Sequence, residues 1–189
     1  MKPLTMPVFL HEIFGERQSI VAIAAILLFG GGMTAVLSLA HPHMTDGLPL
    51  WRSVLALVLI FDVCAGCVAN FTASTSNFYA DRRTHRLVFI AVHAHIVLVA
   101  LLLGVDLLAA CVVWAYTICG AAAVNALIGR RQQRFIAGLL LAIGAGGITL
   151  LPSVQPYMVT IGLLFMLKVL YGFAVDHYGR AEAGEDKRA

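Results

Sequence analysis

Asp62, Lys168 and His93 are the residues from which chemistry is first expected, because each interrupts an otherwise apolar run. Asp62 follows LALVLIF, His93 sits within LVFIAVHAHIVLVALLL, and Lys168 within IGLLFMLKVL. A charged side chain at the centre of a membrane helix costs roughly 2.5–3.5 kcal/mol on insertion scales, so such groups pair or line a cavity. A carboxylate, an ammonium and an imidazole held together can do two kinds of work. They can grip a polar group by charge and hydrogen bonds. Alternatively they can move protons on a lipid substrate, with His93 as general base, Asp62 orienting it and Lys168 stabilising an anion. No serine or threonine falls in that layer to serve as nucleophile, so binding or transport leads and an enzyme is the second reading.

Helical phase adds further candidates. Asp62, Gly66 and Asn70 recur at i, i+4 and i+8 and make one polar, small-residue stripe. Thr117, Ala121 and Asn125 make another, as do Lys168, Tyr171, Gly172 and Asp176. Small residues beside polar ones let helices approach and hydrogen-bond. Downstream of Asn70, the segment from Thr72 through Ser74 to Asn77 is dense in hydrogen-bonding side chains and runs into Arg82 and Arg83. The expected cavity wall is therefore Asp62, Asn70, Thr72, Ser74, Asn77, His93, Thr117, Asn125, Lys168 and Tyr171. Arg82 and Arg83 are expected at its mouth, touching an anionic headgroup. A structural ion pair between Asp62 and Lys168, in a membrane assembly protein, is the competing explanation.

His93 and His95 are two residues apart, about 200° around a regular helix, so only one can face the centre. His93 is the expected one, and a metal held by both is geometrically poor. Cys64 and Cys67 form a C-x-x-C near the end of a helix, whereas reactive thiols sit at helix N-termini. Packing is the simpler role for all four cysteines. Neither a metal nor a cofactor is expected.

The elements that must position these groups follow from composition. The chain has 189 residues, 60% hydrophobic and only 12% charged, with mean hydropathy +0.89. Soluble domains carry about 25% charged residues. A bilayer crossing takes about 20 apolar residues, and six segments qualify, at about 19–40, 49–71, 86–104, 106–128, 134–152 and 156–177. The fold class expected is all-α, a polytopic bundle of six transmembrane helices. It divides into a leader over 1–18 with an interfacial face of Val8, Phe9 and Ile13, a membrane domain over 19–177, and a charged tail over 178–189. The first segment lacks a small-x-small cleavage site and reads as a helix of the mature protein.

Arginine and lysine placement sets the orientation. Lys2 and Arg17 precede the first span; Arg82, Arg83 and Arg86 follow the second; Arg130, Arg131 and Arg134 follow the fourth; Arg180, Lys187 and Arg188 follow the sixth. The opposite connections hold only Arg52. The positive-inside rule then puts both termini in the cytoplasm, in a bacterial inner membrane. With that orientation Asp62 and Lys168 each lie about twelve residues, hence about 18 Å, below the outer surface. Membrane lipids are the expected partners, with a small-molecule or lipid ligand, a second copy or a partner membrane subunit compatible, and no nucleic acid. Six helices in under 200 residues is similar in size to the substrate-binding subunits of vitamin importers and to several small lipid enzymes. Size carries no function.

Overall fold

Ser19 opens the first long helix by accepting a hydrogen bond at its hydroxyl from Ala22 N–H, 3.1 Å away, which satisfies one of the free donors at a helix start. That helix and those after it come from a computed structural model describing residues 3–80 and 82–179, the side chain of Arg83 excepted. The described chain is all-helical apart from two strands of two residues each. In order it runs β1 (Leu4–Thr5), α1 (His11–Phe14), β2 (Arg17–Gln18), α2 (Ile20–Ala40) and α3 (Leu50–Ala69). It continues through α4 (Ala73–Ala80), α5 (Arg83–Val92), α6 (His95–Leu103), α7 (Leu107–Asn125), α8 (Gln133–Thr149) and α9 (Pro156–Met166).

Five helical runs are long and apolar enough to cross a membrane: Ile20–Ala40, Leu50–Ala69, Thr84–Leu103, Leu107–Asn125 and Pro156–Phe173. The sixth apolar helix, α8, has 17 residues. Most of the outward surface of these runs is apolar, with Leu28, Leu39, Leu108 and Phe135 all exposed. A hydrocarbon solvent accommodates such a surface and water does not.

The core lies where α3, α6, α7 and α9 meet, around Ile60, Val99, Val124, Ile161 and Phe165. α2 stands at the edge and packs chiefly on α3. The close approach is made at Gly30, where a Cβ would lie 2.8 Å from the Ala65 methyl.

Two runs depart from regular helix, and both departures sit beside the polar groups. Between α5 and α6 the backbone of His93 leaves helical geometry, with ψ at 82°. The carbonyls freed there are met by side chains. His93 Nδ1 donates to Phe89 O at 2.6 Å, and Trp114 Nε1 donates to His93 O at 3.0 Å. Broken helices at membrane depth survive only with such internal partners or beside a cavity. Beyond α9 the chain widens into a π-helical segment, Leu167–Phe173, whose Lys168 carbonyl accepts from Asn70 Nδ2 at 3.0 Å. π segments are rare and frequent at functional sites.

The leader closes into a clasp. Antiparallel pairing of Leu4 with Gln18 and Thr5 with Arg17 ties its ends, and α1 is a single turn between them. Val8, Phe9 and Ile13 are all exposed on it, while Phe14 turns inward against Ile26, Ala65 and Ala69. Residues 180–189, most of the charged tail, lie outside the described residues.

Candidate functional site

Lys168 and Asp62 form a salt bridge, with Nζ 2.5 Å from Asp62 Oδ2 and 3.3 Å from the Asp62 backbone carbonyl. Gly66 makes it possible. The lysine stem runs across the bare Cα of Gly66, where a Cβ would lie 2.3 Å from Lys168 Cε. The two partners are unequally placed. Lys168 has 4% of its side chain exposed and Asp62 has 45%. His95 approaches the same carboxylate oxygen, its Nδ1 3.5 Å away, within ion-pair reach but without a hydrogen bond.

These groups form the floor of a cavity of about 660 Å³ on the face of α3 between α2 and α5. That volume is typical of small-ligand sites. Its walls are largely apolar, drawn from Ile26, Phe61, Ala65, Val88 and Phe89. Leu27, Val58 and Val92 line it and are exposed, so its rim opens along the apolar flank of the bundle. The leader supplies the end wall through Glu12, Ile13 and Phe14, and Tyr79 donates its hydroxyl to Glu12 O at 3.1 Å. Burial, reinforced by the Glu12 charge, holds that hydroxyl protonated well above the ordinary tyrosine range.

The residues singled out from the sequence divide into three groups. Asp62, Asn70, His93 and Lys168 line the one cavity. His95 joins them, because the helix break turns the two imidazoles toward each other, with ring centroids 4.8 Å apart. His95 is the histidine near Asp62, whereas His93 stacks on Phe89 at 3.7 Å. The regular-helix expectation had preferred His93 for the centre, and the break removes its premise.

The second group holds the leader in place. Thr72 accepts from Gln18 Nε2 at 2.9 Å and donates to Ala69 O at 2.8 Å. Ser74 accepts from Arg17 N–H at 3.3 Å, and neighbouring Thr75 donates to Ile13 O at 3.1 Å. Arg82 pairs with Glu16 at 2.9 Å and lies over the Phe78 ring. Asn77 stands in a separate recess of about 360 Å³ with Glu16, Arg17 and Ser74. The side chain of Arg83 lies outside the described residues.

The third group is built into helix packing. Thr117 is fully buried and donates to Val113 O in its own helix at 2.7 Å. Tyr171 packs against Phe71 and His177. Asn125 accepts at Oδ1 from Arg86 Nε, 2.9 Å away. Arg86 enters the sequence reading only as a topological charge, yet it is 1% exposed and, among the described residues, the largest fully buried side chain. Its guanidinium also donates to Phe173 O and Ala174 O, at 3.0 and 2.9 Å, pinning the end of the π segment to α5 and α7. The sequence signal was available: Arg86, Asn125 and Gln133 are polar residues at the edges of apolar runs, and Gln133 Nε2 likewise donates to Ala174 O at 3.1 Å.

Cys64 and Cys67 are buried and free, and Cys67 donates its thiol hydrogen to Leu164 O. Among the described residues no group of three or more His, Cys, Asp or Glu side chains is arranged to hold a metal. No protein-family model, curated protein or solved structure matches the chain. The chemistry of the cavity therefore stands on its own geometry.

Proposed function

We propose that this chain is an integral membrane protein of six spans, with both ends on the arginine-rich cytoplasmic side, and that its cavity binds an amphipathic molecule drawn from the bilayer. The five long apolar runs support the membrane setting, and at 17 residues α8 reaches the lower limit for a crossing. Arginine clusters at alternate connections support the orientation.

One observation carries the binding reading: an ion pair forms the floor of a mostly apolar cavity whose rim lies along a membrane-spanning surface. An apolar tail fits between α2 and α5, and a polar group meets Asp62 and His95 at the floor.

Filling the cavity from its rim tests this. Val58 and Val92 are exposed, so Val58→Trp with Val92→Trp leaves the core intact while occupying the site. Native mass spectrometry of protein exposed to a total membrane-lipid extract should detect a bound amphiphile on the wild type. The double variant should not retain it. A wild type that retains nothing, or a filled variant that retains as much, removes the proposal.

A further inference from the structure

We infer that the head group recognised at the cavity floor is a positively charged hydrogen-bond donor, an amine on a single-chain amphiphile, and not an anionic head group. This rests on the reading of the cavity as an amphiphile site.

The argument is a count of what each polar group has left to offer. Lys168 is the one cation lining the cavity among the described residues. Its ammonium is almost wholly buried and is spent on the carboxylate and backbone carbonyl of Asp62. An anion reaching the floor would have to strip Lys168 from that pair, so the anion-stabilising role for Lys168 has no free ammonium behind it. Three of the other polar side chains are engaged as well, whereas His95 Nδ1 has no hydrogen-bond partner among the described residues. Asn70 Nδ2 donates to Lys168 O, Tyr79 donates to Glu12 O, and His93 Nδ1 donates to Phe89 O.

The acceptors are not engaged. Asp62 Oδ2 takes the lysine, while its second carboxylate oxygen makes no hydrogen bond among the described residues and the side chain is 45% exposed. At the leader end Glu12 adds a second carboxylate to the lining, and Glu12 is exposed. Two carboxylates against one buried ammonium leave the lining net negative, with His85, His93 and His95 as its remaining titratable side chains besides Tyr79. The nearby arginines do not reverse this: Arg82 is turned onto Glu16 and Phe78, and Arg86 into the core. Phe61 adds aromatic surface to the walls, which favours a cation over an anion. An alkyl ammonium therefore finds a charge-assisted acceptor in Asp62 and a tail slot above it, whereas a carboxylate or phosphate finds the His95 imidazole as a donor but no free cation among the described residues.

Three chain-matched probes separate the possibilities: tetradecylamine, tetradecanol and myristate, each added to the full-length protein in phosphatidylcholine nanodiscs. Native mass spectrometry after release reads the bound fraction. The wild type should bind the amine about tenfold or more tightly than the carboxylate, the scale of one hydrogen bond to a charged group, with the alcohol between them. In the Asp62→Asn/Lys168→Met double variant, which carries no lone buried charge, the alcohol should still bind and the amine preference should disappear. Myristate binding as tightly as the amine, or alcohol and amine binding equally, overturns the inference and leaves the cavity reading standing. A preference that persists in the double variant overturns it too. If none of the three binds and Val58→Trp/Val92→Trp alters nothing, the cavity reading falls and takes the inference with it.

Discussion

Removing Asp62 should damage the fold far more than removing Lys168, although the two residues share one salt bridge. The difference follows from their burial. In Asp62→Ala the ammonium keeps a 4% exposed position, and the acceptor left within reach is the backbone carbonyl of residue 62, now 3.3 Å away. Stripping the partner from a buried charge costs roughly 3–5 kcal/mol. In Lys168→Met the thioether takes over the lysine stem's path across Gly66. The carboxylate left behind is 45% exposed to the cavity, with His95 Nδ1 3.5 Å away. The open cavity lets water or a polar head group reach that carboxylate, so the loss should approach that of an exposed pair, about 1 kcal/mol. The single variants should thus differ by at least about 2 kcal/mol, a factor of about thirty in the folded-to-unfolded ratio. Asp62→Ala/Lys168→Met should return to within about 1 kcal/mol of wild type, since apolar replacement of both partners is close to neutral. Reversible unfolding with sodium dodecyl sulfate in mixed micelles measures all four proteins. Equal losses in the two single variants would refute the burial argument, as would a double variant no more stable than Asp62→Ala.

Three further outcomes are expected. Gly66→Ala should break the same salt bridge without altering any charge, because the new methyl displaces Lys168 Cε from 2.3 Å; unfolding should show a loss of at least about 2 kcal/mol that vanishes in a Lys168→Ala background. Arg86→Met should cost roughly 2–5 kcal/mol, since it leaves Asn125 Oδ1 and Phe173 O unmet while Ala174 O keeps Gln133; loss of folded yield on size-exclusion chromatography checks it, and a variant of wild-type stability would contradict the clamp. His177, beyond the last span, donates Nε2–H to Tyr171 O and Gly172 O, and burial lowers its pKa against the effect of those bonds, with Arg134 lowering it further. A depressed histidine pKa means the unfolded chain binds the extra proton first. The stability it contributes is therefore present above about pH 6.5 and is lost as pH falls below that value. Amide protection factors over residues 171–179, which take out the intrinsic slowing of exchange in acid, should fall on acidification in the wild type and not in His177→Phe, which keeps the ring packing.

Several parts of this arrangement were legible in the sequence, for physical reasons. Apolar runs identify helices because a bilayer rejects unpaired backbone. Residue counting places Asp62 and Lys168 at one depth because α3 and α9 run in the same sense with nearly the same rise. Other parts were not legible. The break at His93 and Ala94 carries no proline or glycine, so the sequence reads as a regular helix that lets only one of the two histidines face inward, whereas both line the cavity. The hydroxyls of Thr72, Ser74 and Thr75 look like an open polar wall because their partners, Gln18, Arg17 and Ile13, are more than 50 residues away in the chain. Hydrogen bonds at that separation have no local signature. Arg86 was hidden by its own cluster, since three arginines in five residues read as a topological signal while one of them turns inward.

The unequal burial of the ion pair also weighs between scaffold and site. A pair whose only task is to fix helix order has no use for a half-open member, because an exposed charge is screened and the attraction weakens. Here the lysine is sunk beneath Gly66 and the aspartate is left half open at the end of an apolar cavity. Lys168 then acts as a fixed counter-charge to Asp62, without itself being available to a ligand. Holding the lysine there takes a π segment, a glycine opposite and an asparagine on the Lys168 carbonyl. Each of those features is better spent on presenting a carboxylate than on hiding one, and that supports the reading of Asp62 as the group a ligand meets.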